Sequence, residues 1–299
     1  MAEEDRPQTP PSPSAEERLL LAVPKKGRLY ERVLSILKGA GLNYVRAARL
    51  DVAPCTNMPV TVVFLPAADI AKYVSEGNVD LGITGEDIIA ESQAQVVELM
   101  KLGMGKCKLC FQAPKGTVSS PKELVGKRIV TSFPNITKTF FDSIDPSHKT
   151  SIKYVTGSVE VAPSLGLADA VVDLVETGTT MRAAGLEAVG TIMETQSVLI
   201  SNPHTKHSDL IRLIYERIQG YITATRHCMV SYNCPKDKIE LATAITPGHD
   251  SPTIMPLLDQ GMVSITAMTR TTEVASVMDQ LKQIGAVSIV VFDLINCRF

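Results

Sequence analysis

Strand-like and helix-like runs alternate from residue 19 to about residue 206, and one plan occurs twice within that alternation. NVDLGITGED (78–87) and LADAVVDLVETGTT (167–180) each bring an apolar strand carrying aspartate to a Thr-Gly turn that opens a helix. Alternation of this kind folds into largely parallel sheets covered by helices. Two copies of one plan, about 90 residues apart, imply two related lobes with ligands gathered at the carboxyl ends of the strands.

The individual runs support this α/β reading. LLLAVPK (19–25) and VTVVFL (60–65) suit buried parallel strands, and LYERVLSILKGAGL has helical spacing with glycines at its end. A strand near 107–113, KRIVTSF, IKYVT and TIMETQSVLIS continue the series. From about residue 206 the texture changes: SDLIRLIYERIQGYITATRH is one amphipathic helix, and the residues after it read β-α-β-β-α-β, the ferredoxin-like order. The expected division is a disordered tail over 1–17, rich in Pro, Glu and Ser, and a first lobe over 18–115. A second lobe over 116–192, a return to the first lobe with a connecting helix over 193–224, and a small domain over 225–299 complete it.

Charge and cysteine usage exclude several function classes. A net charge of −2 gives no electrostatic case for nucleic acid or an anionic membrane as partner, so an anion site must be built locally. No run reaches the length of a membrane-spanning helix and the N-terminus lacks a signal-peptide core, which points to reduced thiols in a cytoplasmic protein. Cys107 and Cys110 formally make a CxxC, but alternation with Leu109 and Phe111 reads as a half-buried strand. His204 and His207 read as a solvated loop.

The second copy of the repeated plan carries the chemistry. In ETGTT, backbone N–H groups and the hydroxyls of Thr177, Thr179 and Thr180 suit an anion, a helix start adds partial positive charge, and Gly178 permits close backbone approach. Asp169 and Asp173 are four apart, hence on one face of a strand, and burying two carboxylates is costly unless they are paired, bonded or exposed at a cleft. Such acceptors beside a phosphate cradle suit sugar hydroxyls or Mg²⁺ carried by a diphosphate, with Glu160 as a third acceptor. In the first lobe, Lys25, Lys26 and Arg28 of PKKGRL stand at a strand-to-helix turn, with Arg49 a weaker candidate of the same kind. Asp80, Gly82, Thr84 and Gly85 of DLGITGED can seat a second ligand, and Thr131 and Ser132 lie at another strand end.

GSVEVAPSLGLADAVVDLVETGTTMRAAGL resembles the signature of the ATP phosphoribosyltransferase family, and the similarity extends through KKGRL, DLGITGED, KRIVTSFP, PTIMPL and KQIGAVSIVVF. It spans about residues 19–299 and matches the long form of the family. The resemblance implies a two-lobed core like that of periplasmic binding proteins plus a ferredoxin-like, ACT-like regulatory domain. It implies attack of N1 of ATP on C1 of phosphoribosyl pyrophosphate (PRPP) with loss of pyrophosphate, the first step of histidine biosynthesis. By resemblance, Glu160, Asp169, Asp173 and Glu176, Thr177, Gly178, Thr179 and Thr180 hold PRPP. Arg28, Arg49, Asp80, Gly82, Thr84 and Gly85 face ATP, and Asp169, Asp173 and Arg28 are the catalytic set. Mg²⁺ is expected as a cofactor carried by PRPP rather than held directly by protein. Inhibition by histidine is expected through Asp250, Thr253 and Ser288, in a homo-oligomer between dimer and hexamer. A solute-binding protein or a histidine sensor without activity would share the two-lobed architecture; the intact carboxylate–threonine turn favours the transferase.

Overall fold

A computed structural model describes residues 18–47, 50–145, 147, 149–258 and 261–298. The proline-rich tail and Arg49 lie outside the described residues. The chain forms two compact units: Asn43–Ile211 with the residues up to Val33, and Leu34–Leu42 with the residues from Arg212 onward.

The first unit begins with β1 (Leu19–Pro24), α1 (Tyr30–Gly39), β2 (Val52–Pro54), β3 (Val60–Leu65), α2 (Ala67–Ser75), β4 (Leu81–Gly85), α3 (Glu86–Ser92) and β5 (Val97–Lys101). It continues with β6 (Cys107–Pro114), β7 (Arg128–Thr131), α4 (Pro134–Ile144), β8 (Ser151–Tyr154), β9 (Ala170–Val175), α5 (Thr179–Ala183), β10 (Leu186–Thr195) and β11 (Ser197–Ser201). Two sheets result, ordered β2-β3-β1-β4-β11-β5 and β10-β6-β9-β7-β8. In each, three neighbouring parallel strands (β3-β1-β4, β8-β7-β9) are extended by antiparallel ones (β11 and β5, β6 and β10). The two lobes share one topology, with β4 and β9 in equivalent places, as the repeated sequence plan implies.

Each sheet buries its own core. Ala22, Val198 and Ile200 meet Ile70, Ala71 and Val74 of α2, while Leu109, Phe111, Ile129 and Val172 meet Phe141 of α4. Full burial of each larger aliphatic or aromatic side chain contributes about 1.5–3 kcal/mol. Phe111, Phe140 and Phe141 add edge-on and tilted ring contacts at 4.7–5.6 Å.

The chain crosses between sheets at places other than those expected. β6 pairs with β9 and β10, so the first crossing falls in residues 102–106 rather than near 115. TIMETQSVLIS, expected as one strand, is shared by two: β10 ends at Thr195 in the second sheet, and β11 starts at Ser197 in the first. Gln196 sits between them and is held by mutual bonds with Glu86, whose main-chain N–H and carboxylate meet its carbonyl and N–H.

After α6 (Ser208–Arg226), the second unit contains β12 (His227–Pro235), α7 (Ile239–Ile245), β13 (Thr253–Pro256), β14 (Met262–Arg270), α8 (Val274–Gln283) and β15 (Val287–Asp293). The sheet is antiparallel throughout in the order β13-β14-β12-β15, the ferredoxin-like arrangement. This unit takes in most of α6 and so begins earlier than residue 225. Cys228, Val230, Tyr232, Cys234, Val263 and Ile265 alternate inward along β12 and β14, against Ala242, Val277 and Leu281 of the helices. The buried Tyr232 hydroxyl meets Thr246 Oγ1 at 2.7 Å and donates to the Ala242 carbonyl at 3.2 Å, so it enters the core with its polar end satisfied.

Candidate active site

The carboxyl end of β9 opens a cavity of about 270 Å³. Between Val175 and the start of α5 the chain inserts Glu176, Thr177 and Gly178. Gly178 has φ +74°, the left-handed region, and a β-carbon there would come within 2.7 Å of the Arg182 guanidinium. Thr177 and Thr179 hydroxyls meet at 3.0 Å, and Arg182 Nη2 donates to the Thr177 carbonyl at 3.0 Å. α5 has only five residues. Its dipole is therefore short, and the turn's own N–H groups and hydroxyls are what face an anion, rather than a long helix end.

Asp173 lies on the wall of this cavity, with Glu160 and Arg28. Burial pushes its carboxyl above the usual range; a bond from the Leu174 N–H opposes that, the Glu160 charge adds to it, and Arg28 opposes it. Glu160 sits in a short 3-10 turn, Val159–Val161, entered through Ser158 at φ +48°. A left-handed serine is uncommon, and such conformations cluster where side chains must be aimed. Arg28 reaches from the loop after β1 to Glu176, Nη1 to Oε2 at 3.2 Å. No histidine lines the cavity among the described residues.

Other expected site residues are not brought here. Asp169 precedes β9 at its opposite end, where its carboxylate accepts from the Arg128 N–H at 2.8 Å and from the Arg128 guanidinium at 3.0 and 3.2 Å. Arg128 holds the Asp169 carboxyl below its ordinary range. Four strand residues span about 13 Å, so one face does not mean one place. Asp80 is held likewise, accepting from Leu20 N–H at 2.9 Å and Thr205 Oγ1 at 2.8 Å. Gly82 faces Ile70 and Val74 and serves packing. Thr84 and Gly85 stand at the carboxyl end of β4, and the buried Thr84 Oγ1 has no hydrogen-bond partner among the described residues. Lys25 pairs with Asp51 at 3.3 Å. Thr131 and Ser132 are engaged with the Val172 and Val155 carbonyls.

The sequence reading does not assign two residues found at or beside this site. Gln112 is buried in β6, lines the cavity, and donates from Nε2 to the Asp173 carbonyl at 3.3 Å. A glutamine inside the apolar run KLCFQAP is the signal that could have found it, since a buried amide costs free energy unless bonded. Cys107, read as a strand thiol, accepts from Arg28 Nη2 at 3.0 Å. In the second unit, Thr253 begins β13 and Ser288 lies in β15 at φ +52°, on opposite edges of the sheet; Asp250 is exposed beside His249.

The carboxylates around the cavity fit a cation only partly. No group of three or more His, Cys, Asp or Glu among the described residues could hold a metal ion. Asp173 and Glu160 line the same cavity, and the Glu160 charge adds to the upward push on the Asp173 carboxyl.

Comparison with known proteins shows the family. The ATP phosphoribosyltransferase family profile matches residues 66–220, and the profile described as HisG, C-terminal domain, matches residues 224–296. The chain is 48% identical to the ATP phosphoribosyltransferase of Kluyveromyces lactis over 288 residues, and 45% identical to those of Yarrowia lipolytica over 287 and Saccharomyces cerevisiae over 288. Each alignment covers 94% of this chain and 97% of the relative. Among solved structures, a chain of the ATP phosphoribosyl transferase (HisG:HisZ) complex from Thermotoga maritima superposes with a TM-score of 0.62 at 28% identity, covering 69% of this chain and 98% of that one. The chain belongs to the ATP phosphoribosyltransferase family, and its reaction is the first step of histidine biosynthesis, transfer of the phosphoribosyl group of PRPP to N1 of ATP with release of pyrophosphate.

Proposed function

We propose that the cavity at the end of β9 is the PRPP seat of this transferase. The 5′-phosphate rests on the Thr177–Thr180 turn, the ribose hydroxyls meet Asp173 with Glu160 nearby, and Arg28 turns its charge toward the phosphates. The observation carrying this reading is that the left-handed Gly178 turn, the half-buried Asp173 and Arg28 from the other sheet line one cavity. Transfer through an oxocarbenium-like state needs little covalent help. Adenine N1 already has a free lone pair, so no strong base is required. What the protein supplies is alignment of N1 with C1 and fixed charges where the leaving group departs. Magnesium, when bound, offsets the charge of the leaving pyrophosphate.

Thr84 and Gly85 at the end of β4 are the ATP-facing candidates this reading retains; Arg49 falls to the same group on sequence alone. Asp169 and Asp80 are assigned to the fold instead. Titrating PRPP calorimetrically into wild type and Thr179→Ala tests the seat. Loss of the hydroxyl should weaken binding by about 1–3 kcal/mol. Equal affinity would move the phosphate elsewhere.

The region 225–299 is taken as a regulatory domain through which histidine inhibits. Thr253 and Ser288 stand on opposite edges of a four-stranded sheet, about 14 Å apart across three strand spacings. One histidine touches both kinds of edge only where two copies meet, which ties inhibition to a homo-oligomer, up to a hexamer by resemblance. Thr253→Ala should relieve inhibition and leave basal turnover intact. No helix among the described residues is long and apolar enough to cross a membrane, in keeping with a cytoplasmic setting.

A further inference from the structure

We propose that Cys107 is a positioning residue for the transfer reaction, its thiol holding the Arg28 guanidinium aimed into the PRPP cavity. The proposal rests on the assignment of Arg28 to the PRPP phosphates. Arg28 is the one cationic residue lining that cavity among the described residues, and two contacts fix its end group. They differ in kind. The Glu176 carboxylate and the Arg28 side chain are 44% and 41% exposed, so their pair is screened and an incoming phosphate can take its place. Cys107 is 7% exposed, at the start of β6, and its contact at 3.0 Å is part-buried, the less exposed of the two. When phosphate displaces Glu176, the sulfur still fixes the direction of Nη2.

A thiol suits this task because it accepts weakly without cancelling charge. Burial holds the Cys107 thiol up, against the pull of Arg28, so it stays neutral. Burial works against the Arg28 charge, while the bond to Cys107 and the nearby Glu176 and Asp87 carboxylates favour it. A carboxylate at residue 107 would bind the guanidinium more firmly but leave less charge for phosphate. Asp87, an acidic group that acts on both Arg28 and Cys107, is itself occupied, accepting from Thr195 Oγ1 at 2.8 Å.

Two substitutions separate positioning from packing. Cys107→Ser keeps an acceptor with less apolar bulk; Cys107→Val fills the space and accepts nothing. Positioning predicts near wild-type kcat/KM for Ser and about a tenfold fall for Val, the scale of losing one hydrogen bond to a charged group. Packing predicts the reverse order, with the Ser variant also the less stable in melting. In an Arg28→Ala background, Cys107→Val should cost nothing further, because the residue acts through Arg28. An undiminished loss in that background, or wild-type kinetics for Cys107→Val while Arg28→Ala is impaired, overturns the inference. Wild-type kinetics for Arg28→Ala itself would overturn the site reading first, and this inference with it.

Discussion

The ends of β4 and β9 are the same place in two lobes of one topology, and they have been put to different uses. Aligned on their first aspartates, Asp80 and Asp169 do the same thing. Each precedes its strand, donates its main-chain N–H to a carbonyl of the neighbouring first strand, and accepts that same residue's N–H on its carboxylate, from Leu20 in one lobe and Arg128 in the other. Four residues on, the lobes part: Thr84 stands where Asp173 does. β4 runs straight into α3 with Gly85 at an ordinary φ of −93°, whereas three residues, the last a left-handed glycine, stand between β9 and α5. The two lobes thus share the carboxylate that closes the strand start and differ at the position where Asp173 faces a cavity.

The largest effect should come from Asp173→Asn, with kcat/KM falling about 10²–10³-fold, the scale of one preorganised polar group. Stability should move the other way. Because burial raises the folded-state pKa of Asp173, the wild type gives up stability as pH rises through that pKa. The Asn variant should melt at or above wild type at neutral pH, and the gap should close in acid. A large fall in Tm at pH 7 would mean that Asp173 serves the fold.

Next in size are the two glycines, which resist alanine for different reasons. Gly178→Ala forces a β-carbon into the left-handed region, at about 1–2 kcal/mol, and should raise KM for PRPP. Gly85→Ala meets no backbone strain but drives a β-carbon against the Asp87 carboxylate, disturbing its bond with Thr195. It should lower Tm and leave PRPP affinity intact; the two profiles exchanged would break the comparison.

Asp80→Ala and Asp169→Ala should each lower Tm by a few degrees with KM unchanged. The Asp169 contribution is present at neutral pH and lost as pH falls through its lowered folded-state pKa. If Asp169→Ala instead raised KM for PRPP, the carboxylate would have a reach that its pairing with Arg128 does not suggest. Smallest is Thr84→Val. Removing a buried hydroxyl without a partner among the described residues should leave stability unchanged or raise it by about 1 kcal/mol at most, and KM for ATP should rise if nucleotide supplies that partner.

What could be read from the residues alone obeys the same division. The duplicated plan, the Thr-rich turn and the β-α-β-β-α-β order are local patterns of spacing and were legible. Gln112 and Cys107 were not, because their roles depend on β6 crossing into the second sheet, which brings them to Asp173 and Arg28. The break at Gln196 was hidden for a related reason: TIMETQSVLIS holds no turn former, so two strands in different sheets read as one. Asp169 looked like a site residue because periodicity reports the face of a strand and is silent about which end.

The second crossing also orders events on the ribosome. β5 has β11 as its sole neighbour in the first sheet, so residues 97–101 leave the exit tunnel with no strand to pair with. Their partner emerges roughly a hundred residues later, a delay of about 5–20 s at ordinary elongation rates. During that interval the nascent first lobe presents an open strand edge beside β4, the kind of surface that recruits other chains. A stall in translation between residues 101 and 197 should therefore yield chaperone-bound or aggregated product rather than a soluble first lobe.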